Sequence, residues 1–282
     1  MTVRGRFLSG LVTAVITLAG FATAGALPAA ADSDDTVQYV ALGDSYAAGT
    51  AAGSFPNCPH SSDGYPALLD SEERIHLRAN EACSGATIDE VTDSQLSALN
   101  RGTRLVTLTV GAANLDLSGL LAVCIDPDRA QECLAAIKNI EDVLLPELGS
   151  DLTNLYAEVA DAAPKARIVV TGYPHLFEPV SPLLIAINDA IDQLNTTIAA
   201  AVLAADPPGD GDRIFYVDVV DAFEGHGIGC QCADPFIHSL VDENNQPDPE
   251  AFHPTADGYR AYADAISVVL PPEWLDEQEQ LV

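Results

Sequence analysis

Residues 36–49 read TVQYVALGDSYAAG. The first seven are mostly apolar or β-branched, the composition of a strand. The next seven are small or polar, so the strand ends there in a turn. Similar runs recur outward from it: residues 104–111 (RLVTLTVG), 166–172 (ARIVVTG), 214–220 (IFYVDVV) and, more weakly, 76–82. Continuous hydrophobic strands suit a parallel sheet covered on both faces. Helical patterns lie between them. Residues 130–162 form a long one, which Pro146 and Gly149 are expected to break into two helices. Residues 182–205 form another, and residues 255–270 a last one, closed by Pro271-Pro272. The alternation of strand and helix predicts one doubly wound α/β domain, with an acidic tail at about 273–282 that is expected to fray.

The 282 residues are 48% hydrophobic and 19% charged, which supports a sizeable core and excludes a wholly disordered chain. The formal net charge is −30, so nucleic acid is not an expected partner, and anionic membrane surfaces should repel the chain. Residues 1–31 combine Arg4 and Arg6, an apolar run over 8–24, and Ala29-Ala30-Ala31. This is the pattern of a secretory signal peptide cleaved after Ala31, leaving a domain over 32–282; a retained N-terminal anchor is the rival. Later in the chain no run reaches the ~18 uninterrupted apolar residues of a membrane span, so no stable membrane insertion is expected.

Six cysteines, Cys58, Cys83, Cys124, Cys133, Cys230 and Cys232, agree with export to an oxidising compartment. Cys124 with Cys133 would close a short loop and Cys58 with Cys83 would staple two early elements, which leaves Cys230 with Cys232. Six cysteines nevertheless allow 15 pairings, and the sequence does not choose among them. They do not form the paired CxxC knuckles of a zinc site, and no metal is expected. The acidic stretch 242–250 lacks the glycine and spacing of a calcium loop.

Ser45, just past a strand and flanked by small residues, is placed as a nucleophile would be, although a helix N-cap is the plainer role for such a serine. A serine needs a base, and His253, in Glu250-Ala251-Phe252-His253-Pro254, precedes the last helix. Glu250 stands three residues earlier, where a carboxylate can orient the imidazole. The order Ser, acid, His is a known triad order on an open α/β sheet. On composition alone His60, His76, His175, His226 and His238 compete for the role of base.

The chain resembles the SGNH (GDSL-type) hydrolases, particularly their secreted actinobacterial esterase and lipase branch, from about Val37 to Leu270. Gly43-Asp44-Ser45 with Gly49 is similar to the first block, Ala82-Cys83-Ser84-Gly85-Ala86-Thr87 to the second, and Phe252-His253-Pro254 with Gly258 to the last. The resemblance implies a single-domain, three-layer α/β/α fold with a mostly parallel, flavodoxin-like sheet. It places the nucleophile at Ser45, the base at His253, and oxyanion donors at the amides of Ser45 and Gly85. The pairs Cys58/Cys83 and Cys124/Cys133 fit that branch's disulfides. Two departures stand out. The family's third block, Gly-Gly-Asn-Asp, is here Gly111-Ala112-Ala113-Asn114, so Ala113 falls in the slot of the oxyanion-binding Asn unless a one-residue shift brings in Asn114. Glu250 stands where the family usually has Asp, and some relatives use a backbone carbonyl instead. The expectation is a secreted, monomeric serine ester hydrolase without cofactor, acting on small-molecule or lipid esters through an acyl-enzyme. The alternative is an acyltransferase or non-catalytic cell-surface protein on the same fold.

Overall fold

In a computed structural model, the described residues are 36–49, 58–72, 74–124, 126–206, 212–241, 244–246, 248 and 250–279. They belong to one compact unit spanning Asp34–Val282. The signal peptide expected over 1–31 lies outside the described residues.

The strands are β1 (Val37–Gly43), β2 (Ile75–Asn80), β3 (Leu105–Thr109), β4 (Arg167–Thr171) and β5 (Ile214–Val217). They form one parallel sheet in the order β2-β1-β3-β4-β5. Successive side chains on a strand face opposite sides. All five residues of β3 are buried, so helices cover both faces and the fold has three layers. Along the chain the helices are α1 (Ser45–Ala48), α2 (Tyr65–Asp70), α3 (Ile88–Glu90), α4 (Leu117–Cys124), α5 (Ala130–Asn139), α6 (Leu145–Ala162), α7 (Pro182–Ala205), α8 (Ala256–Ser267) and α9 (Pro272–Glu279). α6 packs on α7, and α2 packs on α8. Among the described residues no helix is long and apolar enough to cross a membrane.

The strand order reverses between β1 and β3. In open α/β sheets the crevice at such a reversal, beyond the strand C-termini, is where ligands bind. Residues 43–45 lie at that point.

Two expectations need correction. The long helical pattern does not break at Pro146 and Gly149; it continues through a π-helical turn, Ile140–Leu144, into α6. Proline cannot donate to the preceding turn and its ring crowds the carbonyl four residues back, and a wider turn just ahead of it relieves both. The tail does not fray over 273–279. It forms α9, which buries Leu275 and stacks Trp274 on the Arg167 guanidinium at 4.8 Å.

Candidate active site

β1 ends at Gly43, with φ +128°, where a Cβ would lie 2.1 Å from the Thr109 carbonyl oxygen on β3. Only glycine permits that approach. The Gln95 side chain grips the same residue from both sides, accepting from its N–H at 2.7 Å and donating to its carbonyl at 2.9 Å. Asp44 then caps α1, accepting from the Tyr46 N–H at 3.0 Å. Ser45 is therefore the first residue of α1 rather than its cap. Its hydroxyl stands at the mouth of a cleft.

The Ser45 Oγ is 2.7 Å from Nε2 of His253, 208 residues downstream. The other ring nitrogen, Nδ1, is 3.1 Å from the Ala251 carbonyl. A carbonyl only accepts, so Nδ1 carries the proton and Nε2 is left to accept from Ser45. Burial lowers the His253 pKa below its ordinary value, and the Ala251 carbonyl only partly counters this. The imidazole is thereby neutral near neutral pH, with its Nε2 lone pair free to accept a proton.

The structure does not bring Glu250 to Nδ1. Its carboxylate lies 3.3 Å from Nε2 of His238, whose Nδ1 is 3.4 Å from Asp248. An imidazole between two carboxylates holds them both, and the Ala251 carbonyl occupies the place expected for Glu250.

Asn114 is likewise turned away. Its Oδ1 accepts from the Ile88 N–H at 3.0 Å, at the start of α3, while Ala112 and Ala113 line the cleft. Gly85, with φ +79°, faces open space, with no heavy atom within 4 Å of where its Cβ would be. It is held near Ser45 through its neighbour Cys83, whose N–H donates to the Gly43 carbonyl at 2.9 Å and whose sulfur bonds to Cys58. The other disulfides join Cys124 to Cys133 and Cys230 to Cys232.

The cleft has a volume of about 320 Å³. Its lining includes Ser45, Ser84, Gly85 and His253, and the apolar side chains of Leu117, Leu121, Leu176 and Phe252. Phe236 lies elsewhere, stacked on His226. His60 and His175 engage the Ala82 carbonyl and Asp192, away from Ser45.

Asp44 of the first block and two tyrosines, Tyr46 and Tyr173, tie the segments around this cleft together. Asp44 is buried, and burial pushes its carboxyl up to about 7 against the opposing hydrogen bond from the Tyr173 hydroxyl. That hydroxyl also accepts from the Ala112 N–H at 3.2 Å, linking the first and third blocks. The Tyr46 hydroxyl donates to the Phe252 carbonyl at 2.5 Å, linking the first and last. The capping pattern of Asp44 beside a short helix was the one local signal available; the tyrosine contacts join distant segments and leave none.

The GDSL-like Lipase/Acylhydrolase family model matches residues 41–261. The chain is 34% identical to Lipase 1 of Streptomyces coelicolor over 265 residues, covering 89% of this chain and 92% of that one. It is 32% identical to a lipase of Streptomyces rimosus, covering 88% and 90%. Among solved structures it is similar to the phospholipase A1 of Streptomyces albidoflavus, with TM-score 0.70 and 30% identity over 83% of this chain and 99% of that one. With this span and the three blocks assembled around one cleft, the chain belongs to the GDSL-like lipase/acylhydrolase family.

Proposed function

We propose that the protein hydrolyses carboxylic esters in two steps, with Ser45 as nucleophile and His253 as base. The carrying observation is the 2.7 Å approach of Ser45 Oγ to His253 Nε2 at the cleft mouth. Nε2 takes the hydroxyl proton as Oγ attacks the ester carbonyl. The amides of Ser45 and Gly85 donate to the oxyanion of the tetrahedral intermediate. His253 returns the proton to the departing alkoxide, leaving an acyl-enzyme. Water, deprotonated by the same nitrogen, attacks it; collapse of the second intermediate releases the acid and restores Ser45. Ala251, through its carbonyl, takes the orienting role expected of Glu250.

The apolar wall of Leu117, Leu121, Leu176 and Phe252 favours an acyl chain on the acid side of the ester. Relatives named as lipases and a phospholipase A1 support lipid esters as the substrate class. The protein acts outside the cell: three disulfides suit an oxidising compartment. Ser45→Ala should lower hydrolysis of p-nitrophenyl acyl esters by ~10⁴-fold or more, and a fluorophosphonate probe should label the wild type at Ser45. Unchanged turnover in the variant removes the reading.

A further inference from the structure

Phe252 lies between the carbonyl that orients His253 and His253 itself, and it has φ +70°. L side chains rarely adopt this conformation, and it persists only where the surroundings hold it. The surroundings here are specific. The Phe252 N–H donates to the His238 carbonyl at 3.1 Å, and the His238 N–H donates to the His253 carbonyl at 2.9 Å. The Phe252 ring meets Phe177 edge-on at 6.1 Å. The Phe252 carbonyl accepts from the Tyr46 hydroxyl at 2.5 Å.

Of these contacts, only the last comes from the element that carries Ser45. Tyr46 follows Ser45 directly in α1, and its N–H is fixed by Asp44. Its ring is wedged edge-on against Tyr173 at 5.2 Å and lies 5.3 Å from the His253 ring. One rigid side chain thus spans from the nucleophile's turn to the base's loop.

We propose that Tyr46 is a positioning residue for ester hydrolysis: by holding the Phe252 carbonyl, its hydroxyl sets His253 at hydrogen-bond distance from Ser45. The proposal rests on the Ser45–His253 reading above. The Ala251 carbonyl belongs to the same loop as His253 and moves with it, so the orientation of His253 is only as good as the placement of that loop. Misplacement by ~1 Å costs on the order of 10²-fold in rate. Burial raises the Tyr46 phenol well above its ordinary pKa, so it remains a donor throughout the working range.

The test compares Tyr46→Phe with Tyr39→Phe. Each removes one buried phenol hydroxyl and keeps the ring; that of Tyr39 bonds within the sheet, to Thr107 at 2.6 Å. On p-nitrophenyl butyrate, Tyr46→Phe should lower kcat by ~10–100-fold with KM within about twofold, and should slow fluorophosphonate labelling of Ser45 in the same proportion. Tyr39→Phe should leave both rates within about twofold, even where urea unfolding shows an equal stability loss. An unchanged kcat in Tyr46→Phe overturns the proposal. So does a rise in KM alone, which would make Tyr46 a wall of the cleft, and so does an equal loss of kcat in both variants. Wild-type turnover retained by Ser45→Ala would instead strike the functional reading on which the proposal rests.

Discussion

Asn114 Oδ1 accepts the backbone N–H of Ile88 at 3.0 Å, and this bond ties the side chain next to Ala113 to the start of α3. With the carboxamide committed to the start of α3, the neighbouring Ala113 is left lining the cleft with a methyl group. The oxyanion hole proposed above then has two backbone donors, Ser45 and Gly85, and no side-chain third. Loss of one such donor in comparable hydrolases costs ~10²–10³ in turnover.

Restoring the donor should therefore raise activity. Ala113→Asn is expected to increase kcat on p-nitrophenyl butyrate by ~10-fold or more, with a smaller change in KM because the bond strengthens as charge develops. Asn114→Ala should act differently, loosening α3 and lowering the unfolding midpoint. A fall in kcat for Ala113→Asn in a folded protein would mean that residue 113 does not address the oxyanion.

The sheet, the turn that carries Ser45 and the loop that carries His253 were legible because each has a local signature. Residues 36–42 are a mostly apolar or β-branched run, Gly43-Asp44-Ser45 follows it directly, and Phe252-His253-Pro254 precedes an amphipathic helix. Glu250 was misread because its spacing from His253 is compatible with either of two imidazoles, and only the folded loop gives it to His238. Pro146 was misread as a break because a π turn has no compositional mark. Gln95, Tyr173 and Tyr46 went unseen for a related reason. They act on Gly43, Asp44 and Phe252 at separations of 52, 129 and 206 residues.

The lowered pKa of His253 fixes the acid limb of the activity profile. The imidazolium cannot accept the Ser45 proton, so kcat/KM should fall as pH drops, with a midpoint below the ordinary histidine value of 6.5. A carboxylate partner would push that midpoint the other way. A profile of kcat/KM from about pH 4.5 to 8.5 measures it; a midpoint at or above 7 would show that a negative charge reaches the ring.

Asp44 should make the fold less stable as pH rises. Its carboxyl titrates near 3.8 when unfolded and about 7 when folded, because burial disfavours the charged form. Its contribution is complete below the lower value and is lost as pH rises through the higher one, on the order of 4 kcal/mol at most. His253 has the opposite tendency, its lowered pKa weakening the fold in acid. Subtracting the urea stability of Asp44→Asn from that of the wild type at each pH isolates Asp44. The difference should decline between pH 4 and 7 and level off above. A flat difference would show that Asp44 titrates alike in both states.

The disulfide between Cys124 and Cys133 should affect substrates according to their chain length. It ties the end of α4 to α5, and α4 supplies Leu117 and Leu121 to the apolar wall of the cleft. The cross-link spans nine residues; opening a loop that short costs about 2–3 kcal/mol in the chain-entropy account. The Cys124→Ser/Cys133→Ser variant should accordingly unfold at lower urea concentration. The reacting groups are held elsewhere, by β1, the Cys58–Cys83 bridge and the loop before α8. Hydrolysis of p-nitrophenyl acetate, which has almost no acyl chain to bind, should then continue with little change below the unfolding transition. Hydrolysis of the laurate ester should lose kcat/KM, through KM, because a mobile α4 no longer presents a fixed apolar surface. Equal losses on both esters would place the effect of the disulfide at the catalytic groups instead of the acyl wall.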